Sequence, residues 1–327
     1  MAPPYGIGAV QTSHPGRVPS GTFRPPPRTP SAARVHGALT AGSDLVAWVR
    51  ALRPLAQLNV APPIVAGAAL LGGGAQALDA AGLGVSLGFG LLAHAFIVLA
   101  NDLADADADA IAGHRTLVSG GSGVLVEGRL SRRQIARAAA VSAVGLLAYG
   151  AGWSAVAQTP GPVLCAAATL LLVWSYSFPP LRRAYVDGGA VLQALGVGVV
   201  LPLVGAFGQG GPAWDRASAF VPLVLLGWAG NVATALPDRE GDARAEKRTL
   251  PVRVGETVAR RRVVQVGVIA ALCSPLVLPA AANHVHATIE IVAALAYLLA
   301  WRLPPVPFAV ATSTIGIALQ LTWAALA

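Results

Sequence analysis

The chain has 327 residues, 55% of them hydrophobic and only 12% charged, with a mean hydropathy of +0.62. These values exclude an ordinary soluble domain and point to the bilayer. The net charge of +8 comes from 22 arginines and one lysine set against 15 carboxylates. Its placement between apolar runs argues for membrane topology and against a nucleic-acid partner.

Residues 1–43 are rich in Pro, Ser and Gly, carry Arg17, Arg24, Arg28 and Arg34, and have no acidic residue before Asp44. They contain no continuous apolar stretch of the kind a secretory signal needs. The expectation is a disordered, basic tail, with a transit peptide as the alternative. A single membrane domain is expected over 44–327.

Apolar runs near the ~20 residues of a bilayer span then follow, and the expected fold is an all-α integral membrane protein. They are placed at Leu55–Gly74, Leu83–Leu103, Ala138–Val156, Val163–Phe178, Ala190–Phe207, Phe220–Leu236, Val263–Ala281, Ile289–Leu303 and Val306–Ala327. That makes nine. Gly84 and Gly88 are spaced for close helix contact. Cys165 and Cys273 both lie in apolar runs and read as free thiols.

Loop charges set the orientation. Of the 23 basic residues, only Arg216 falls in the alternate loops. By the positive-inside rule the rich side, with the N-terminus, is cytoplasmic. The Arg-, Ala- and Gly-rich composition resembles that of a GC-rich bacterial genome, and a bacterial cell membrane is the expected location.

Chemistry concentrates where the second span leaves the bilayer, in Asn101-Asp102-Leu103-Ala104-Asp105-Ala106-Asp107-Ala108-Asp109. On an ideal helix, with Asn101 at zero, Asp105 falls near ~40°, Asp109 near ~80° and Asp102 near ~100°, whereas Asp107 falls near ~240°. Four oxygen-bearing side chains thus share a stripe. A second stripe places Asp238, Asp242 and Glu246 at i, i+4 and i+8, joined by Asn231 if the helix continues through Pro237. Crowded carboxylates need a cation between them, and Mg2+ takes oxygen ligands. Carboxylates at a bilayer are costly and are functional by default. Nearby, Arg115, Arg182, Arg183, Lys247 and Arg248 suit phosphate oxygens; Arg183, Arg248 and Arg260–Arg262 read as ordinary positive-inside residues.

The two acidic stretches resemble the paired signatures of the UbiA superfamily of intramembrane prenyltransferases. Asn101-Asp102-x-x-Asp105-x-x-x-Asp109 is similar to the first; Asp238-Arg-Glu-Gly-Asp242-x-x-x-Glu246-Lys247-Arg-Thr249-Leu250-Pro251 is similar to the second. Tyr176-Ser177-Phe178-Pro179-Pro180-Leu181 is similar to a tyrosine-bearing loop between two family helices. The resemblance implies nine helices around a central cavity open to lipid. It implies Mg2+ held by Asn101, Asp105, Asp109, Asp238 and Asp242, and a (poly)prenyl diphosphate as donor. Asp105, Asp238, Tyr176 and Lys247 would be catalytic, and Arg115, Arg182 and Lys247 would contact the diphosphate. Asn59 is a candidate acceptor-side polar contact, with a plain structural hydrogen bond as its alternative, and Asn231 is a candidate substrate-binding residue.

Glu246 stands where many members have glycine, and the segment after Arg115 resembles the naphthoate-prenylating branch. Gly120, Gly121 and Gly123 there read as a flexible loop, with a phosphate nest as the alternative. His94 is expected either to face the cavity or to bond between helices. The expected reaction is prenyl transfer to a small, hydrophobic, aromatic acceptor resembling a quinone precursor. A terpene cyclase on the same scaffold and a cation-coupled transporter are the alternatives.

Overall fold

A computed structural model describes residues 41–112, 120–186, 188–277 and 283–327. Residues 1–40, nearly all of the expected tail, lie outside them, and so does Arg115. The described residues are helical, with no strand among them.

Helix α1 (Ala41–Leu52) is short and two-faced: Ala47 and Ala51 are buried, while Leu45, Val46 and Val49 are exposed. An exposed apolar face on such a helix suits the headgroup boundary. After Arg53, in a left-handed conformation, a 3-10 turn over Pro54–Asn59 leads into α2 (Ala61–Gly72). Helix α3 (Ala80–Ala112) has 33 residues. At 1.5 Å per residue it is ~50 Å long, against a hydrocarbon core of ~30 Å. Its acidic end therefore reaches past the apolar layer, which is where its aspartates are affordable.

Helix α4 (Arg132–Ala157) starts from a capping box in which Ser131 and Gln134 satisfy each other's backbone N–H groups. Helix α5 (Gly161–Ser177) follows. Helix α6 (Gly189–Leu195) passes through a single π turn, Gly196–Val200, into α7 (Leu201–Gly208). Pro202 lacks the N–H that a regular turn would use there, and the chain re-registers by one residue: Leu201 N–H bonds the Gly196 carbonyl. Helix α8 (Phe220–Ala235) ends before Pro237, and the short α9 (Arg239–Arg244) and α10 (Leu250–Val254) carry the chain over the membrane edge. Helices α11 (Glu256–Leu272), α12 (Asn283–Ala300) and α13 (Pro305–Leu326) complete the bundle.

Six helical stretches are long and apolar enough to cross a bilayer: Leu45–Gly72, Ala80–Ala112, Arg132–Ala157, Gly189–Gly208, Trp214–Ala235 and Pro305–Leu326. Two shorter apolar helices are Gly161–Ser177 and His284–Ala300. The expected run Val263–Ala281 corresponds to α11, which starts with charged residues and falls short by this measure. Nine spans are thus more than length and composition establish. The chain is an integral membrane protein, and its outer surface agrees: Val141, Val144, Val156, Val292 and Leu299 are all more than half exposed.

Small residues let the inner helices touch. A Cβ on Gly67 would overlap the Pro202 backbone, and one on Gly205 would overlap the Ile64 backbone, so α2 and α7 meet main chain to main chain. The expected Gly84 contact is absent, because that residue faces open space; Gly88 packs under Tyr149, and Gly82 approaches the Gly208 carbonyl. Arg260 is not an ordinary loop charge. Buried at the start of α11, it bonds Glu256 (2.9 Å) and the carbonyls of Trp301 and Leu303, which ties α11 to the link between α12 and α13. Cys165 and Cys273 are free.

Candidate functional site

The end of α3 and the α8–α9 turn face each other across a cavity of about 190 Å³. Its lining includes Asn101, Asp102, Asp105 and Asp109 from α3, and Asn231, Thr234, Asp238 and Asp242 from the other side. Lys247, Tyr176, Arg53, Gly120 and Gly121 complete the wall. Local periodicity explains the first set: residues 101, 105 and 109 repeat on one helical face. Asp107 lies on the opposite face, exposed and paired with Arg132.

The second set comes together differently from the expectation. No helix continues through Pro237, because the chain turns at Leu236–Asp238 and restarts as α9. Asn231, Asp238 and Asp242 still converge, carried by the turn. Glu246 does not join them: it sits past the end of α9 in a left-handed conformation and is exposed. That reversal delivers Lys247, whose backbone N–H bonds the Asp242 carbonyl at 2.8 Å. The Lys247 ammonium then points inward, 3.1 Å from Asp105 and 3.9 Å from Asp242.

Around these groups the polar partners are specific. The Ser177 hydroxyl donates to Asn101 (2.5 Å), the Thr249 hydroxyl to Asp242 (3.1 Å), and Tyr176 is hydrogen-bonded to Asn231. Tyr185 donates to Asp105 at 2.8 Å and offers its ring to Lys247 at 4.7 Å and to Arg182 at 3.5 Å. Arg182 otherwise donates to the Ala104 carbonyl and does not line the cavity. It braces Tyr185. Asp102, almost fully buried, bonds Arg53 and the Ser122 hydroxyl, joining the link after α1 and the 120–124 loop to α3.

Burial pushes Asp242 up to about 6, with Lys247 opposing the shift and Asp238 adding to it. Burial also disfavours the charge on Lys247, but Asp105, Tyr185 and Asp242 together hold its pKa above the ordinary value. Tyr185 is raised by burial and by the Asp105 carboxylate. Two cations, Lys247 and Arg53, among five aspartates leave the cavity short of positive charge. Among the described residues no three His, Cys, Asp or Glu side chains converge tightly enough to hold an ion by themselves. The donor set instead suits Mg2+, which takes one or two carboxylates and fills its shell with water and phosphate oxygens.

A second cavity, of about 270 Å³, opens below the first and shares Arg53, Asn101, Tyr176, Asn231 and Thr234 with it. Its walls are mainly apolar: Ile97, Val98, Leu172, Val173, Leu192 and Leu201. Asn59 and His94 also face it, and His94 does both things expected of it, since its Nε2 bonds the Leu52 carbonyl at 2.7 Å.

Gly120 and Gly121 both have positive φ, and a Cβ on Gly121 would overlap Asp109 Oδ2. The loop packs on the carboxylate. The Ser122 N–H points at Asp102, so it is not offered to a ligand. Arg53 and Tyr185 had no signal in the sequence: each lies outside the acidic stretches and arrives through the fold.

Residues 60–325 match the model of the UbiA prenyltransferase family. The fold is similar to that of a UbiA homolog from Archaeoglobus fulgidus bound to GPP and Mg2+, at 20% identity and a TM-score of 0.63, covering 85% of this chain and 98% of that one. It is also similar to a UbiA homolog from Aeropyrum pernix K1 (14% identity, TM-score 0.59, 82% and 94% covered). A digeranylgeranylglyceryl phosphate synthase shares it too (16% identity, TM-score 0.59, 86% and 96% covered). No curated protein matches the chain.

Proposed function

Because this chain belongs to the UbiA prenyltransferase family, we propose that it transfers a prenyl group from a prenyl diphosphate to a small hydrophobic, aromatic acceptor inside the membrane. One observation carries the reading: two acidic segments from separate helices line a single cavity that continues into an apolar one. A diphosphate head and a hydrocarbon tail have the same polarity order.

Asn101, Asp105, Asp109, Asp238 and Asp242 would hold Mg2+, the ion found with GPP in the Archaeoglobus relative. Bound there, the ion would neutralise the diphosphate and make it a competent leaving group. Lys247 and Arg53 provide the protein's own cations at the cavity wall, and Arg115 is proposed to add a third. Tyr185 orients Asp105 and shares its ring with Lys247. When the C1–O bond breaks, the electron pair leaves with the diphosphate. The allylic cation would then lie at the junction of the two cavities, against the ring face of Tyr176. The acceptor carbon forms the new C–C bond and loses a proton. The apolar walls keep water from capturing the cation.

The acidic cavity is proposed to open to the cytoplasm of a bacterial cell, as the basic loops on that side support, with nine helices enclosing it. Diphosphate release by purified protein tests the function. It should require an aromatic acceptor, stop in EDTA and return with Mg2+. Efficient release without acceptor would favour the cyclase, and full turnover in chelator would remove the mechanism.

A further inference from the structure

The π turn Gly196–Val200 contains two glycines with different surroundings. A Cβ on Gly198 would overlap the Val224 and Leu223 backbone, so this glycine lets the turn lie against α8. Gly196 has no such constraint. Its backbone is right-handed helical (φ −60°, ψ −54°), a conformation that any residue adopts. Valines fill three of the other four positions of the turn, and a Cβ at 196 would meet nothing closer than Leu172 Cδ1, at 3.9 Å. Glycine inside a helical segment costs stability relative to alanine, so neither backbone nor packing calls for it here. The apolar cavity does. Leu192, Gln193, Gly196 and Val197 share one helical face and line that cavity together with Leu172, whereas Val191 and Leu195 are the exposed residues beside them. A side chain at 196 would take up the cavity's own space.

The depth of that space indicates what fills it. A Cβ on Gly189 would lie 3.2 Å from the Tyr176 ring, so residue 189 marks the level of the ring. Gly196 is seven residues further along, ~10 Å deeper, and Leu172 is one turn, ~6 Å, below Tyr176 on α5. An extended carbon chain advances ~1.2 Å per bond, one-third of the reach of a three-bond residue. With C1 against Tyr176, the first isoprene unit of a prenyl chain ends ~4 Å below the ring and the second runs from ~5 to ~9 Å. The gap beside Gly196 lies at the depth of the second unit.

We propose that Gly196 is a specificity-determining residue: its missing side chain keeps room for the second isoprene unit, and the donor carries at least two such units. The proposal rests on the prenyl-transfer reading and names its donor class. The other cavity that leaves this junction, of about 80 Å³, has a polar wall of Thr312, Ser313 and Gln320 and suits hydrocarbon less well.

The probes are dimethylallyl diphosphate and geranyl diphosphate, which share the head and the first unit and differ only in the second. Binding in Mg2+ is measured to the full chain in lipid nanodiscs and corrected against empty discs. The parent should bind geranyl diphosphate at least ~tenfold more tightly, because five further carbons are buried. Gly196→Leu, and Gly196→Val as a smaller second variant in case the first does not fold, should weaken geranyl diphosphate at least ~tenfold and leave dimethylallyl diphosphate within about twofold. Equal binding of both probes by the parent overturns the proposal, as does a preference that survives in both variants. Equal loss of both probes in the two variants overturns it too, since the added side chain would then act on the whole site and not on the second unit. Absence of Mg2+-dependent binding of either probe by the parent would instead overturn the prenyl-transfer reading beneath it.

Discussion

Asp105 and Asp107 are two residues apart on α3, yet they should behave as opposites. The Asp105 side chain is about three-quarters buried, 3.1 Å from Lys247 and 2.8 Å from the Tyr185 hydroxyl. Replacing it with Asn keeps the shape but removes a charge from the metal-binding wall. A unit charge acting over ~4 Å at an effective dielectric of ~20 is worth roughly 4 kcal/mol. Its loss should also leave Lys247 with only the more distant Asp242. If two-thirds of that interaction is felt in the transition state, kcat falls by at least ~100-fold, or ~2.7 kcal/mol. The Asp107 side chain is 82% exposed and its pairing with Arg132 lies at the surface, where ion pairs contribute little. Asp107→Asn should stay within about threefold of the parent. The assay is steady-state diphosphate release by detergent-solubilised variants matched for size-exclusion profile. Equal loss in both variants would refute the facial assignment and make the acidic run a bulk charge patch.

Other consequences are as direct. Gly121→Ala should raise the Mg2+ concentration for half-maximal diphosphate release about tenfold, because the new methyl would displace Asp109 and occupies a positive-φ position; an unchanged Mg2+ titration would show that Asp109 does not hold the ion. Tyr185→Phe removes the bond to Asp105 but keeps the ring beside Lys247, so kcat should fall about tenfold, and Tyr185→Leu should cost more. The second variant matching the first would mean that the ring contributes nothing. With Cys165 and Cys273 replaced by Ala, a cysteine at Gln158 should react with an impermeant thiol reagent in intact cells. One at Arg133 should react only after the cytoplasmic face is opened, and the reverse pattern would invert the topology.

The sequence by itself determined what depends on short range. A bilayer span is a matter of about twenty consecutive residues, so the runs of apolar residues were legible, and most described helices fall within a few residues of them. The stripe formed by Asn101, Asp105 and Asp109 was legible for a similar reason, since a helix of known period places every fourth residue on one face. The second stripe shows where that logic ends. Asp238 and Asp242 reach the cavity, but Pro237 breaks the helix and a left-handed Glu246 turns outward, and it is this break that brings Lys247 in. Arg182, expected to contact the diphosphate, was decided by the fold: it stacks on Tyr185 and reaches a main-chain carbonyl instead of the cavity. Tyr185 and Arg53 carry no local pattern, nor does Gln320, buried on α13 with its Oε1 unpaired. Their positions depend on how α1, the α5–α6 loop and α13 pack against α3 and α8, and such contacts between residues distant in the chain are settled only when the helices close around the cavity.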